Sequence, residues 1–406
     1  MTSSLSTADR VETPRTSWHV PAMLALALGG FGIGTTEFVT MGLLPDIAAD
    51  FGISEPTAGH AVSAYALGVV VGAPLIAALA ARVPRKKLLI ALMVAFTIGN
   101  AATVLAPTFG TLTLARFVSG LPHGAYFGVA SLAAATLAPV GQRAKAVAAV
   151  MLGLSVANVI GVPGATWLGQ HLGWRDAYVV VAVIGVATVA ALWRFVPDLS
   201  GMKVTNPVTE LGALRRPQVL LTLAVGAIGF GGMFAVYTYI ATTMTDVAGM
   251  PIGAVPVVLA LFGLGMIAGN ILGGVLADRG VDRSIFVALL AMVVILAGFV
   301  LAAHNPITAA VGAFLVGASG AALAPGLQTR LMDVAADAQT LAAALNHAAL
   351  NMANAAGAWL GGLVIAAGLG YTAPAAVGAL LAVFGVLLFT VTVWSARRST
   401  EGNLPH

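Results

Sequence analysis

Between Trp18 and Leu44 the chain carries one Asp, Glu, Lys or Arg side chain, Glu37. Long apolar runs of this kind recur along the chain, and they constrain its fold more than any other feature. A transmembrane helix needs about 20 predominantly apolar residues. Apolar residues make up 59% of the 406, about 240, which matches twelve such spans. Charged residues are 8%, where a soluble domain carries about 25%. A soluble enzyme of this composition would expose large apolar patches and aggregate. Disorder needs the opposite balance of charge and hydrophobicity. A transmembrane barrel would alternate apolar and polar residues over segments of about ten. The reading is an all-α membrane protein with twelve transmembrane helices, near 18–44, 57–81, 87–107, 110–136, 144–171, 175–196, 217–243, 253–277, 284–303, 306–330, 339–367 and 372–395.

The remaining totals fit this reading. The 48 glycines suit helices that pack closely in a bilayer. The chain has no Cys, which excludes thiol catalysis, disulfides and thiolate metal sites. Residues 1–17 are polar, no short apolar segment ends in a small-residue cleavage site, and the first span reads as a retained helix.

Basic residues set the expected orientation. Arg82, Arg85, Lys86 and Lys87 lie between the second and third spans, and Arg143 and Lys145 between the fourth and fifth. Arg194, Lys203, Arg215 and Arg216 surround the central loop, and Arg279 and Arg283 follow the eighth span. Arg330 is expected to end the tenth, Arg397 and Arg398 follow the twelfth, and Arg10 and Arg15 precede the first. These are 17 of the 19 Lys and Arg residues. Only Arg175 falls on the opposite side, and Arg116 lies inside the fourth span. The expected organisation is a cytoplasmic tail (1–17), a six-helix half (18–196), a cytoplasmic loop (197–216), a second six-helix half (217–395) and a cytoplasmic tail (396–406). The net charge of +4 then marks topology, so no nucleic-acid partner is expected.

An internal repeat appears at an offset of 197 (265 − 68). Gly68, Gly72, Leu79, Ala80 and Arg82 match Gly265, Gly269, Leu276, Ala277 and Arg279. Parallel repeats are one architecture of secondary transporters, with the substrate site between the halves.

Several motifs resemble those of the major facilitator superfamily. Gly274-Val-Leu-Ala-Asp278-Arg279-Gly-Val-Asp-Arg283 is similar to the family's loop signature. The first-half copy keeps Arg82 and Arg85 but has Ala77 and Ala81 where glycine and aspartate are usual. By resemblance these loops are conformational switches, and Asp278 would cap a helix end across the half interface. Leu114-Ala-Arg116-Phe-Val-Ser-Gly120-Leu-Pro-His123-Gly124 resembles the family's fourth-helix motif. Gly161-Val-Pro163-Gly164 resembles the antiporter motif of the fifth helix, loosely, since Thr166-Trp167 stands where a glycine pair is expected. Glu37 with its flanking Gly32-Ile-Gly-Thr-Thr, together with His60, Tyr65 and Gly173-Trp174-Arg175, looks like the drug:proton antiporter-1 branch. The closest subgroup is that of arabinose-efflux-permease-type and chloramphenicol-resistance-type exporters. The resemblance implies a multi-pass protein of the inner cell membrane, acting as a monomer and exchanging protons for a small molecule.

Ionisable groups at membrane depth are costly and face a cavity or a partner. Glu37 is the one acid well inside a span. Burial disfavours the charged form of a carboxyl, so Glu37 reads as the group where proton and substrate compete, or else as a protonated packing residue. Arg116 always keeps its charge, so it either biases Glu37 or is pinned by backbone carbonyls. His123 lies seven residues on, close to the same helix face, and either lines the path or packs. Tyr65, Tyr237, Asn158, Gln328 and Asn351 are candidates for a substrate cavity. Asn346, His347 and Asn354 accompany Asn351 in the eleventh span, where glycines below them also suit plain helix packing. No phosphate loop or metal cluster appears, so no cofactor, metal or enzymatic reaction is expected. The expected function is proton-coupled export of a drug, sugar or related metabolite by alternating access. The alternatives are a facilitator or proton symporter for sugars or nucleosides, and a non-transporting sensor.

Overall fold

The computed structural model describes residues 19–80, 83–139, 142–199, 215–335 and 339–401. The expected N-terminal tail, Arg82, Lys203 and most of the central loop lie outside them. Every regular element among the described residues is helical. A bilayer core dictates this, because a backbone without water must satisfy its own hydrogen bonds. In the first part of the chain the long helices are α1 (Val20–Gly42), α2 (His60–Leu79), α3 (Arg85–Val104), α4 (Phe109–Leu137), α5 (Arg143–Val156, then Val162–Leu172 after a π turn) and α6 (Trp174–Phe195). In the second they are α7 (Pro217–Gly229 and Gly231–Thr238), α8 (Val255–Arg279), α9 (Val281–Ala302), α10 (Pro306–Ala335), α11 (Gln339–Ala366) and α12 (Ala373–Glu401). Two short helices, Leu44–Phe51 and Glu55–Ala58, lie between α1 and α2.

Eleven helices are long and apolar enough to cross a membrane. The remaining long helix, α4, has 29 residues but carries Arg116, Pro122 and His123 in its middle, which lowers its apolarity. Leu24, Ile98, Leu114, Trp193, Val294 and Leu301 are exposed on the outside of the bundle, while Thr36, Asn100, Arg116 and His123 are buried within it. This inverts the soluble pattern and suits a protein whose solvent is lipid.

Helix pairing repeats along the chain. α1 packs on α5 and α6, α2 on α4, and α3 on α4 and α6. α7 packs on α11 and α12, α8 on α10, and α9 on α10 and α12. Each pair recurs six helices later. The two groups meet chiefly through α2 against α11 and α5 against α8.

Glycine makes the tightest of these pairs possible. A Cβ on Gly68 of α2 would lie 2.1 Å from the Phe117 carbonyl oxygen of α4, and one on Gly265 of α8 would lie 2.1 Å from that of Phe314 in α10. In return Gly120 abuts the Tyr65 carbonyl and Gly317 abuts that of Phe262. The differences 265 − 68, 314 − 117, 317 − 120 and 262 − 65 are all 197. The repeat therefore extends from five matching residues to a shared backbone contact, reached only by helices without side chains at those points.

At the end of the bundle where α6 begins, Arg175 pairs with Asp50 at 2.6 Å and lies over the Trp174 ring, whose Nε1 donates to the same carboxylate at 3.1 Å. The Arg175 hydrogen bond is the main reason Asp50 is held below the usual carboxylate range. Arg330 departs from expectation. α10 continues past it to Ala335, and the side chain is buried, paired with Asp282 of α9 and bonded to Gln218 at 3.3 Å.

Gly68→Ala and Gly269→Ala are each expected to destabilise the protein by about 1–3 kcal/mol through overpacking. Gly128→Ala, whose Cβ meets nothing within 4 Å, should be neutral or slightly stabilising in the same thermal unfolding series. A carboxylate shifted downward stabilises the fold above its ordinary pKa, and that contribution is lost as pH falls through the folded value. Asp50→Asn should accordingly cost up to about 1 kcal/mol at neutral pH, since both partners are partly exposed. Its stability should converge with the unmodified protein as the pH drops below about 4.

Candidate functional site

Arg116 of α4 is fully buried. Its Nη1 donates to the Thr36 hydroxyl and its Nη2 to the Thr36 carbonyl, both at 2.8 Å. The Thr36 hydroxyl in turn donates to Asn100 Oδ1 of α3 at 2.5 Å, and Asn100 Nδ2 donates to the Phe96 carbonyl at 2.8 Å. The guanidinium lies 4.4 Å from the Tyr65 ring centroid and 5.3 Å from that of Tyr178. Such contacts add roughly 2 kcal/mol or more when desolvated. Tyr178 is itself held by Thr40 at 2.7 Å. Arg116 thus ties α1 to α2, α3 and α6 at the residue just before Glu37.

Glu37 is also buried, at 5% exposure. Arg116 is within Coulombic range of its carboxyl, and no ion pair joins them among the described residues. Tyr65 of α2 and Tyr237 of α7 are also within Coulombic range of the carboxyl, and Asn354 of α11 lies beside it. Tyr237 stacks on Phe262 at 3.9 Å between centroids, and Phe38 of α1 packs on both Phe234 and Tyr237. Residues of α1, α2, α4, α7 and α11 therefore converge here, from both groups of helices.

Several buried polar atoms of α5, α7 and α11 have no partner. They include the Tyr237 hydroxyl and the side-chain oxygens of Asn351 and Asn158. Such atoms are rare in a finished core, because each left unsatisfied costs about 1–3 kcal/mol.

The other candidates divide. His123 Nδ1 lies 3.1 Å from the Tyr65 hydroxyl, so Tyr65 links Arg116 to His123. Asn158 sits in the π turn Ala157–Gly161 that interrupts α5. Pro163 follows that turn; it has no N–H to give the preceding turn and its ring crowds it. The wider turn brings the Asn158 carbonyl against Gly263 of α8. Gly161 approaches Thr35 and Phe31 of α1, whereas Gly164 is exposed and meets nothing within 4 Å. Gln328 accepts from Asn346 at 2.7 Å, on α10 and α11. His347 is half-buried and stacks on Phe127 at 5.8 Å. Asp278 and Arg279 end α8 as exposed residues and Arg283 is exposed on α9, with no ion pair for any of them among the described residues. Arg85 opens α3.

Asn100, Thr36 and Tyr178 escaped the sequence reading as site residues. The available signal was a lone asparagine at the depth of Arg116 in an otherwise apolar third helix.

Comparison with known proteins agrees with this architecture. The sequence profile of the Major Facilitator Superfamily matches residues 26–308 and 252–406. "Inner membrane transport protein YdhP" of Escherichia coli (strain K12) is 43% identical over 379 residues, 93% of this chain and 97% of the relative. "Putative transporter AraJ" of the same organism is 36% identical, covering 90% and 94%. "Chloramphenicol resistance protein" of Streptomyces lividans is 36% identical, covering 86% and 88%. The crystal structure of a D-xylose-proton symporter superposes with a TM-score of 0.73 at 18% identity, over 91% of this chain and 97% of that one. A bacterial homolog of the human lysosomal transporter Spinster, inward-facing and occupied, gives 0.70 at 16%, over 93% and 97%.

Thr36→Val should destabilise the protein by about 1–3 kcal/mol, because it strands buried polar atoms of Arg116 and Asn100. Thr222→Val, at an equally buried threonine bonded only within its own helix, should change the melting temperature far less.

Proposed function

The chain belongs to the Major Facilitator Superfamily and is a multi-pass inner-membrane protein, and on that premise we propose that it is a proton-coupled exporter of a small organic molecule. In this reading α4 is the twelfth span, despite its three polar interruptions. The helices form two six-helix halves, and the basic residues place both termini and the central loop on the cytoplasmic side. The halves rock about the α2–α11 and α5–α8 contacts to expose the centre to one side at a time. The protein works as a monomer.

One observation carries the proposal. Among the described residues Glu37 is the one buried carboxyl, and it lies where both groups of helices converge. A carboxyl there costs least when it is neutral or when something compensates its charge. It takes a proton when the centre opens outward and releases it inward as substrate binds. Arg116 acts by holding Thr36, and with it the α1 backbone at Glu37. Tyr65, Tyr237, Asn158, Asn351 and Asn354 form the walls of the substrate site, and His123 continues it along α4. Gln328, bonded to Asn346, supports the second half. Arg85, Asp278, Arg279 and Arg283 lie at the helix ends that separate when the cytoplasmic side opens.

The test is proton release from purified protein in liposomes, with chloramphenicol as first probe and thermal-shift hits from sugars and nucleosides as further probes. Adding a transported probe should release protons through the unmodified protein. Glu37→Gln should fold normally but fall to the level of protein-free liposomes. Undiminished proton release by that variant would remove Glu37 from the mechanism.

A further inference from the structure

Where α6 begins, the end of the bundle is closed by residues of both groups of helices. Tyr239, just past α7, is buried in one apolar cluster with Leu44, Ile47 and Ala58 of the first group, and Ile365 and Tyr371 pack against it. A Cβ on Gly59 would lie 2.5 Å from the Tyr239 hydroxyl. Glu55, on the short helix before α2, sits in this seam, half-buried and without an ion pair among the described residues. Its carboxyl accepts from the Thr242 hydroxyl of the second group, and the Tyr371 hydroxyl, between α11 and α12, reaches it too. An open cleft of about 610 Å³, whose lining includes Pro45, Ser54, Pro56, Ile365 and Tyr371, lies beside it.

The groups around Glu55 decide which of its forms suits a closed end. Asp246, exposed in the π turn Thr243–Val247, is a second carboxylate within Coulombic range, contributed by the opposite group. Tyr239 and Tyr371 are also in range. On the neighbouring short helix Asp50 is engaged by Arg175, and His60 at the start of α2 is exposed. No Lys, Arg or His among the described residues acts on Glu55. With both carboxylates ionised, closure brings together two negative charges of opposite groups, one of them half-buried beside apolar side chains, with no cation between them. Drawing the groups apart separates the charges and hydrates Glu55. A proton on Glu55 removes both costs of closure. Thr242 and Tyr371 keep an oxygen to donate to, because a protonated carboxyl retains acceptor capacity. The state that binds the proton better gains population as pH falls.

We propose that Glu55 is a proton-operated latch on this end of the bundle. Protonated, it holds the two groups together through Thr242 and Tyr371; ionised opposite Asp246, it lets them part. The inference rests on the exporter reading above for its direction. On that reading this is the outer end, so protons arriving from outside both load Glu37 and favour closure behind them. Glu55 is then a second titrating group, which times the gate and does not carry the exchanged proton.

The experiment uses the full chain in lipid nanodiscs. The chain has no Cys, so spin labels at Leu105→Cys and Leu369→Cys, exposed positions of opposite groups at this end, report its opening as a distance distribution. The labels are placed in Glu37→Gln, so that the central carboxyl no longer titrates. As the pH falls from about 8 to about 4, past the ordinary glutamate pKa, the short-distance population should grow relative to the long one by up to about 10-fold. With Glu55→Gln added, the short-distance population should dominate at every pH. Asp246→Asn should shift the distribution at pH about 8 toward the short distance by about 2- to 3-fold, the scale of a partly exposed charge pair. Glu55→Ala, which also loses both hydrogen bonds, should be more open than Glu55→Gln. A pH response that survives Glu55→Gln, no pH response before it, an unshifted distribution in Asp246→Asn, or equal opening in the Ala and Gln variants would each overturn the latch. Proton release by Glu37→Gln in liposomes bears on the exporter reading instead, and is read without these labels.

Discussion

An arginine inside a membrane bundle cannot shed its charge and must find partners for it, and the interior of the first six helices is arranged around that fact. Arg116 meets it by bonding a hydroxyl and a carbonyl of a single residue, Thr36, while two tyrosine rings cover its faces. Thr36 then needs an acceptor, and Asn100 provides it. Asn100 needs a carbonyl, and Phe96 provides it. A single buried charge thus fixes α1 against α2, α3, α4 and α6, at the depth where Glu37 sits.

The glycine contacts supply the complementary constraint. Backbone held against backbone, as between Gly68 and Phe117 or Gly265 and Phe314, leaves no side chain that could repack. Each group of six helices is therefore stiff along its α2–α4 or α8–α10 seam. Between the groups one contact is of the same kind, the Asn158 carbonyl against Gly263, and others are made by side chains. They include single hydrogen bonds such as Ser63 to the Ala355 carbonyl and Thr242 to Glu55, and aromatic edges such as Phe38 on Tyr237. Stiff groups joined by replaceable contacts are what a rocking motion requires.

Much of this was legible in the sequence. The spans follow from apolar runs, and the repeat from the glycines that must sit at backbone contacts. Glu37 and Arg116 stood out because charge is scarce in the spans around them. The polar neighbours were harder to see. Apolar spans have no polar face to set helix rotation, so nothing in the chain assigned Asn100 to Thr36 or Tyr178 to Arg116. For Arg330 only the helix end differs from the sequence reading. α10 runs on to Ala335, and the Arg330 side chain pairs with Asp282 near the start of α9, a contact across two helices that the sequence does not show.

The absence of a direct Arg116–Glu37 ion pair is itself informative. A guanidinium bonded to the carboxylate would make protonation of Glu37 expensive and would occupy its oxygens. Directing its two Nη groups to Thr36 instead keeps the cation within Coulombic range of the carboxyl without an ion pair. The Tyr237 hydroxyl is buried without a partner near Glu37. On the proposed reading it completes its hydrogen bond in the loaded state, so the empty centre is the less satisfied one. Occupancy by a matching molecule then stabilises the assembled centre against the states in which the two groups of helices draw apart.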